Sequence, residues 1–281
     1  MSIGTTKPHD SAHLHVTGAA RYVDDIPVPA GSLHLAFGLS EHAHADITDL
    51  DLSAVRAAPG VVKVLVAGDM PFANNASPAP DPEPVLAEGV VHYIGQPIFL
   101  VAATSHLAAR KAARLAKISY DPRPAILTVE DALAANSHFE GGPVTWARGD
   151  VAAGFSQATC VVEGALDIGG QEHFYLEGQA ALALPDDQGM VIRCSSQHPT
   201  EIQHKVAEAL GCAMHDVRVE MRRMGGGFGG KESQGNHLAI ACAVMARATG
   251  QACKMRYDRD DDMMITGKRH DFKVKYRIGA D

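Results

Sequence analysis

The stretch Met224–Glu232 reads MGGGFGGKE and places five glycines in nine positions. Glycine loses more conformational entropy on folding than any other residue, so a run of glycines is favoured where the backbone must approach a ligand closely. An alternating strand pattern precedes this glycine loop at residues 217–221, and apolar residues at helical spacing follow it from Gln234 to Ala248. Because amides near a helix N-terminus attract anions, the order of strand, glycine loop and helix predicts a ligand site.

Two nucleotide-binding motifs match the glycine loop in part. Its glycines satisfy the dinucleotide pattern G-x-G-x-x-G, but the acidic residue required about 20 positions later first appears at Asp258. Residues 225–231 also match the start of a P-loop, but Glu232 stands where Ser or Thr would hold magnesium. A plain surface loop is a third interpretation, and the large apolar ring of Phe228 argues against it. Nucleotide binding by this loop stays open as an alternative function.

A second strand, polar loop and helix lies upstream. The strand pattern Met190–Cys194 runs into the polar residues 195–198, and a helix pattern then extends from about Pro199 to Leu210, closed by Gly211. In open α/β sheets, ligands bind beyond the C-terminal ends of the strands, so we expect Gln197 and the glycine loop to converge. A helix-capping role for the Gln197 amide is the alternative.

The remaining patterns predict a mixed α/β fold in two units. Residues 1–125 combine strands with a helix capped by Ser105, residues 126–149 form a connector, and residues 150–281 form the second unit. The predicted strands lie at about 33–39, 61–67, 98–102, 118–120, 160–168 and 180–184, and the predicted helices at 53–58, 105–116 and 129–135.

The end of the chain predicts a further strand. Apolar and basic residues alternate from Phe272 to Ile278, and Gly279 then begins a turn. We therefore expect a hairpin whose second strand lies beyond Asp281, in a longer protein of which this chain is the front part.

Composition and charge argue against several classes of protein. A hydrophobic content of 46% over 281 residues is enough for a sizeable core. The formal net charge of -8, from 25 basic and 33 acidic residues, argues against a nucleic-acid-binding surface. No apolar run approaches the roughly 18 residues of a membrane span, and the N-terminal segment lacks the apolar core of a signal peptide. We therefore expect a cytoplasmic protein with no membrane partner.

Cysteine and histidine patterns do not predict a metal held by protein side chains. The five cysteines are dispersed without a C-x-x-C pair, which argues against a zinc knuckle or an iron–sulfur ligand set and fits a reducing compartment. Two H-x-H pairs, beginning at His13 and at His42, lack third and fourth ligands at usable spacing. The acidic run Asp258–Asp262 departs from a calcium loop at Met263 and Arg269, so it predicts the start of a short helix.

Taken together and in order, these motifs resemble the molybdenum-binding subunit of the xanthine dehydrogenase family over the whole chain. The matching segments are Val16–Gly18, Tyr22–Ile26, Gly169–Glu177, Gln197 and Gly225–Glu232. The resemblance implies that residues up to about 125 form a small α/β hammerhead domain. The later residues then form the first, N-terminal part of a molybdopterin-binding domain.

Enzymes of this family hydroxylate a purine carbon with an oxygen from water and pass a hydride to a Mo=S group. Their electrons then travel through two [2Fe–2S] clusters and FAD to NAD. For this chain, the resemblance implies a part in oxidising hypoxanthine and xanthine to urate. Whether NAD or oxygen is the acceptor, and which purine is the native substrate, stay open.

The resemblance also assigns roles to particular residues. It implies that the Gln197 amide donates to an oxygen ligand on molybdenum, and that Glu232 binds the purine and stabilises charge on it. It further implies that backbone amides at Phe228 and Gly229 approach the molybdenum oxygens. The residues expected to bind the cofactor are Gly226, Gly227, Phe228, Gly229 and Gly230.

The resemblance implies partners as well. Because the chain opens directly into the hammerhead unit, we expect the iron–sulfur clusters and FAD on a separate subunit, in a heterotetramer of two unlike subunits. The general base and the remaining pterin contacts are expected beyond Asp281, so we expect the isolated chain to be inactive. Three alternatives stay open, namely an aldehyde or other N-heterocycle hydroxylase of the same family, a nucleotide-binding protein and a non-catalytic assembly fragment.

Overall fold

The computed structural model describes residues 4, 6–139, 141–187 and 189–281. Residues 1–3 and 5, which contributed to the expectation about a signal peptide, lie outside the described residues. The strands are β1 (Leu33–Leu39), β2 (Ala45–Asp51), β3 (Val61–Val66), β4 (Val90–Val91), β5 (Pro97–Ala103), β6 (Lys117–Pro122), β7 (Cys160–Ile168), β8 (Ala180–Asp186), β9 (Gly189–Cys194), β10 (Val217–Glu220), β11 (Cys253–Arg256) and β12 (Phe272–Ala280). The α-helices are α1 (Ala12–Val16), α2 (Ser53–Arg56), α3 (His106–Ala113), α4 (Val129–Ala134), α5 (Val151–Gln157), α6 (Pro199–Leu210), α7 (Gly235–Thr249) and α8 (Arg259–Ile265).

Most of the predicted elements are confirmed. β1, β7 and α6 have the predicted bounds, and the other predicted elements differ at their ends. The Ser105 hydroxyl accepts from Ala108 N–H at 3.2 Å and so caps α3 as predicted. Gly211 ends α6 at a φ of 63°, a left-handed conformation that favours glycine. Five elements were missed, because charged residues interrupt the apolar pattern of β2 and β11, and because β4, α1 and α5 are short.

One compact unit comprises residues up to 122 together with residues 174–267. Its main sheet has seven strands in the order β10-β9-β8-β11-β1-β5-β3. The β10–β9 and β11–β1 pairs are parallel, and the other neighbouring pairs are antiparallel. A smaller sheet, β4-β2-β6, belongs to the same unit. The β1–β11 pairing therefore joins strands from the first and second halves of the chain in one sheet.

Helix α7 is the most deeply buried helix of this unit. Every residue from Gly235 to Ala246 is buried, and the helix packs on β8, β11 and α6. Fully buried side chains such as Leu238 and Ile240 each contribute roughly 1.5–3 kcal/mol relative to exposure. α7 thus anchors the C-terminal end of the glycine loop in the core.

The other compact unit comprises residues 123–173 and 268–281. Its two-stranded sheet pairs β12 with β7 in antiparallel register, from Phe272 opposite Ile168 to Ala280 opposite Cys160. Pairing with β7 occupies one edge of β12, so the expected hairpin with a second strand beyond Asp281 stays a prediction. The expected turn at Gly279 is wrong, since Gly279 lies within β12. A Cβ at Gly279 would lie 3.0 Å from the Ala158 side chain, so this glycine serves close packing against the end of α5.

Among the described residues, no helix combines the length and the apolar composition needed to cross a lipid bilayer.

Candidate functional site

The glycine loop and Gln197 lie together because of the β9–α6–β10 crossover. β9 and β10 are parallel neighbours, so the segments that follow them leave from the same edge of the sheet. Gln197 Oε1 accepts from Gly229 N–H at 3.0 Å and from Lys231 N–H at 3.2 Å. Gln197 N–H in turn donates to the Lys231 carbonyl at 2.7 Å. The predicted convergence of Gln197 and the glycine loop is confirmed.

These bonds fix the orientation of the Gln197 amide. With both backbone amides on Oε1, the Nε2 group is directed elsewhere, and within the described residues it donates to no protein group. The helix-capping alternative is wrong, because α6 has His198 as its N-cap residue, without a side-chain capping bond. Gln197 therefore offers an unused amide donor beside the glycine loop.

The backbone of the glycine loop offers a second unused donor. Phe228 adopts a φ of 55°, which is unusual for a residue with a side chain, and its ring is 77% exposed. Its N–H bonds to no group in the part of the chain that the structure describes. The Gly229 amide is bound to Gln197, and Gly230 N–H donates to the Gly227 carbonyl at 2.8 Å. Of the two amides expected to face a ligand, the Phe228 amide is therefore the available one.

The glycines are required by close packing around the loop. A Cβ at Gly225 would lie 2.5 Å from the Cβ of Glu177, and one at Gly227 would lie 2.6 Å from Gln197 Oε1. At Gly226, which has a φ of 99°, the nearest atom would be the Tyr175 Cβ at 3.1 Å. The loop backbone thus lies directly against residues 175–177 and Gln197.

A buried ion pair under the loop was missed by sequence reasoning. Lys231 has a fully buried side chain, and its Nζ lies 3.1 Å from Glu177 Oε2 and 4.6 Å from the centroid of the Tyr175 ring. Burial lowers the pKa of Lys231, and the attraction of Glu177 opposes this shift. No spacing rule links residues so far apart in sequence, although Glu177 ends one of the segments that carry the resemblance.

A second set of buried polar groups extends this network to α8. Tyr175 Oη donates to Asp262 Oδ1 at 2.7 Å, and Gln179 N–H donates to Asp262 Oδ2 at 3.1 Å. Gln179 Nε2 then donates to the Gly230 carbonyl at 2.9 Å. Burial, followed by the contact with Asp262, raises the pKa of Tyr175, so its hydroxyl stays protonated. The acidic residues near 258–262 open α8 as predicted, and one of them supports the loop.

Glu232 lies at the open side of the loop. Its side chain is exposed, and across the described residues it forms no ion pair or hydrogen bond. The neighbouring Lys231 does not neutralise it, because the Lys231 ammonium is buried against Glu177. α7 begins at Gly235, so Glu232 precedes the helix instead of lying in its first turn. Its carboxylate is therefore available to a ligand.

Acidic side chains elsewhere in the described part of the chain also lie close together. Among the described residues, the cluster able to surround an ion is Asp258, Asp260 and Asp261, and no histidine belongs to it. Arg110 pairs with all three of these carboxylates. A guanidinium thus already supplies positive charge beside these carboxylates.

Two family models cover most of the chain. The model described as "Aldehyde oxidase and xanthine dehydrogenase, a/b hammerhead domain" matches residues 17–124. The model described as "Molybdopterin cofactor-binding domain" matches residues 129–281. Their order along the chain agrees with the predicted order of the hammerhead and molybdopterin-binding domains.

Individual proteins of the family are similar to this chain. Xanthine dehydrogenase of Oryza sativa subsp. japonica is 40% identical over 282 residues, and xanthine dehydrogenase/oxidase of Rattus norvegicus is 41% identical over 279 residues. Each match covers 99% of this chain but 21% of the relative, so the chain spans about a fifth of their length. The solved aldehyde oxidoreductase of Desulfovibrio gigas matches with a TM-score of 0.85 and 28% identity, over 98% of this chain and 32% of that one. The chain therefore belongs to the aldehyde oxidase and xanthine dehydrogenase family, as a hammerhead domain followed by a molybdopterin cofactor-binding domain.

Proposed function

We propose that this chain contributes the oxygen-facing and substrate-facing residues of a purine hydroxylase that oxidises hypoxanthine and xanthine to urate with water as oxygen source. One observation carries the proposal. The glycine loop carries one unused hydrogen-bond donor, Phe228 N–H, and the exposed carboxylate of Glu232. Gln197, which is hydrogen-bonded to this loop, offers a second unused donor at Nε2. The names of the curated relatives, which are xanthine dehydrogenases, support the choice of a purine as substrate.

The residues present fit a molybdenum–molybdopterin group. Neutral N–H donors suit oxygens that carry negative charge, and the glycines leave the loop backbone open to close approach. When bound in its Mo=S form, the cofactor would supply the two-electron oxidation of the substrate carbon. Gly226, Gly227, Phe228, Gly229 and Gly230 would form the wall of its site.

Each side chain then has a separate role. Gln197 would donate from Nε2 to an oxygen of the metal centre while its Oε1 holds the Gly229 amide. The Phe228 amide would add a second donor. Glu232 would accept a hydrogen bond from a ring N–H of the purine and stabilise the charge that develops on the heterocycle. These contacts would bind and orient the reacting groups without direct ligation of the metal by protein.

The remaining parts of the enzyme are proposed on the same basis. Electrons would pass through two [2Fe–2S] clusters and FAD, carried by a partner subunit in a heterotetramer, to NAD in the cytoplasm. Within this chain, residues 1–125 would act as the hammerhead domain, 126–149 as the connector and 150–281 as the first part of the cofactor-binding domain. The isolated chain would be inactive.

A second candidate function is hydroxylation of an aldehyde or of another N-heterocycle. The similarity to the Desulfovibrio gigas aldehyde oxidoreductase supports it. The two candidates differ in the role that they give to Glu232. A carboxylate in the substrate pocket can accept a hydrogen bond from a ring N–H of a purine, whereas an aromatic aldehyde has no ring N–H to donate.

Metal and cofactor analysis of the intact enzyme complex tests the proposal. We expect molybdenum, iron, flavin and a pterin, together with an absorption spectrum that xanthine bleaches. The alternative of a nucleotide-binding protein predicts none of these groups and tight binding of ATP or NAD to the isolated chain. That second result would overturn the proposed function.

A further inference from the structure

Glu177 contacts the glycine loop at both of its ends. Its backbone N–H donates to the Gly225 carbonyl at 3.1 Å, and its Oε2 accepts from Gly225 N–H at 2.7 Å. The same Oε2 lies 3.1 Å from the Lys231 ammonium. One carboxylate oxygen therefore connects the beginning of the loop to its end.

Lys231 connects this carboxylate to the segment that carries Gln197. Its backbone N–H donates to Gln197 Oε1 at 3.2 Å, and its carbonyl accepts from Gln197 N–H at 2.7 Å and from Ser196 Oγ at 3.2 Å. Any shift of Lys231 would therefore move the Gln197 amide as well. The two unused donors of the site are thus held by one set of contacts.

Stability alone does not explain an ion pair at this depth. The Lys231 side chain is fully buried and the Glu177 side chain is 12% exposed. Buried ion pairs can often be replaced by apolar residues of similar volume without loss of stability, whereas removing one partner strands a buried charge. A buried pair that touches both ends of a ligand loop is better explained by the geometry that it imposes on the loop.

The loop has little freedom to adjust if that geometry changes. Its residues 225–227 are in close contact with Glu177, Tyr175 and Gln197, and Phe228 is held at a strained φ of 55°. We propose that Glu177 and Lys231 are positioning residues, whose buried ion pair holds the Phe228 amide and the Gln197 amide in place to bind an oxygen-bearing cofactor. The identity of that cofactor rests on the proposed function.

Two double variants of the intact enzyme test the positioning role without leaving an unpaired charge in the interior. Glu177→Gln/Lys231→Met removes both charges but keeps an acceptor for the Gly225 amide, whereas Glu177→Leu/Lys231→Met also removes that acceptor. The matched control is Glu208→Gln/Lys205→Met, which removes another buried-lysine ion pair, on α6, where Lys205 is 5% exposed and its Nζ lies 2.6 Å from Glu208. The measurements are molybdenum content, the Mo(V) electron paramagnetic resonance spectrum and the single-turnover rate of reduction by xanthine.

We expect the Leu/Met variant to show an altered Mo(V) spectrum and a reduction rate at least about tenfold lower, comparable with loss of one donor to a developing charge. The Gln/Met variant, which has lost the ion pair, should also show an altered spectrum and a lower rate, but the loss should be smaller because it keeps an acceptor for the Gly225 amide. The control should match wild type. Wild-type spectra and rates in both loop variants would overturn the positioning role. If the Leu/Met variant does not fold, the single variant Glu177→Gln is measured in its place. An unchanged spectrum and rate in Glu177→Gln would likewise overturn the positioning role. Absence of molybdenum from wild-type enzyme would instead refute the proposed function, so the two failures are distinguishable.

Discussion

Gln197 uses the two polar atoms of its side chain for different purposes. Oε1 accepts two backbone N–H groups of the glycine loop, and Nε2 is left for a ligand. Gln197→Ala would therefore remove both functions at once. We therefore expect Gln197→Ala to lose cofactor as well as activity.

The substitution Gln197→Glu isolates the donor. A glutamate can still accept from Gly229 and Lys231 N–H but cannot donate from the second oxygen when ionised. We expect near-normal molybdenum content with reduction by substrate slowed roughly 10- to 1000-fold, the range for a lost donor to a developing charge. Molybdenum analysis followed by stopped-flow reduction checks this expectation. An unchanged reduction rate in fully loaded enzyme would rule out the donor role of Nε2.

The expected substrate class depends on Glu232, because its exposed carboxylate is the group proposed to bind the purine. Glu232→Val should lower kcat and raise KM for xanthine together, since the lost hydrogen bond forms in both the bound state and the transition state. An aromatic aldehyde should be affected less, because it offers no ring N–H to the carboxylate. Steady-state assays of both substrates, at equal molybdenum content, measure the difference. Equal and modest losses for the two would indicate that Glu232 has no direct contact with substrate.

At the scale of elements, the crossover β9–α6–β10 creates the site. Parallel pairing of β9 and β10 places Gln197 and the glycine loop at one edge of the sheet, and α7 anchors the loop in the core. The loop itself connects these rigid elements without secondary structure from residue 221 to residue 234. Its conformation therefore depends on side-chain contacts and on glycines that tolerate unusual backbone angles.

Gly229 tests how much the loop depends on such angles. It has a φ of 92°, which a β-branched residue adopts only with strain. Gly229→Val should yield folded protein with little bound molybdenum, because the Gly229 amide would shift away from Gln197. Gly89→Val is the matched control, since Gly89 is exposed, has a φ of 76° and has no atom within 4 Å of an added Cβ. If Gly229→Val keeps full molybdenum and activity, the loop is a simple connector.

At the scale of the whole molecule, strands from both family domains form one sheet. β1 pairs with β5 on one side and with β11 on the other, and Leu33, Leu35 and Leu100 share a core cluster with Leu238 of α7. Residues of the hammerhead region thus bury part of their apolar surface against the cofactor-binding region. The two family domains are therefore coupled in the folding of this unit.

A fragment of residues 1–125 should consequently be unstable. Exposing several core side chains, each worth roughly 1.5–3 kcal/mol, is comparable with the roughly 5–15 kcal/mol that stabilises a typical domain. We expect no cooperative thermal transition for this fragment by circular dichroism. A fragment of residues 1–267, which contains all of this compact unit, serves as the control and should unfold cooperatively. A cooperative transition of the short fragment near that of the control would contradict the shared core.

The sequence by itself determined most of the elements and the location of the site. Period-two and helical patterns predicted strands such as β1 and β7 and the helix α6, because these patterns reflect which face of an element is buried. The glycine run and Gln197 followed strands, and the sheet geometry of α/β proteins was enough to predict that they meet. The resemblance, carried by motifs in order, predicted the family that the comparisons confirm.

The tertiary structure alone decided how the site is held. Lys231 and Asp262 lie far in sequence from the segment that carries Tyr175 and Glu177, and the contacts among them depend on chain packing that no local pattern encodes. The same reason explains the missed β11, in which Lys254 is buried because its Nζ contacts Asp24 at 2.7 Å. Strand pairing was also undetermined, since alternation identifies β12 as a strand but does not identify β7 as its partner. Local patterns report burial, whereas the partner that satisfies a buried charge or a strand edge is chosen by the whole fold.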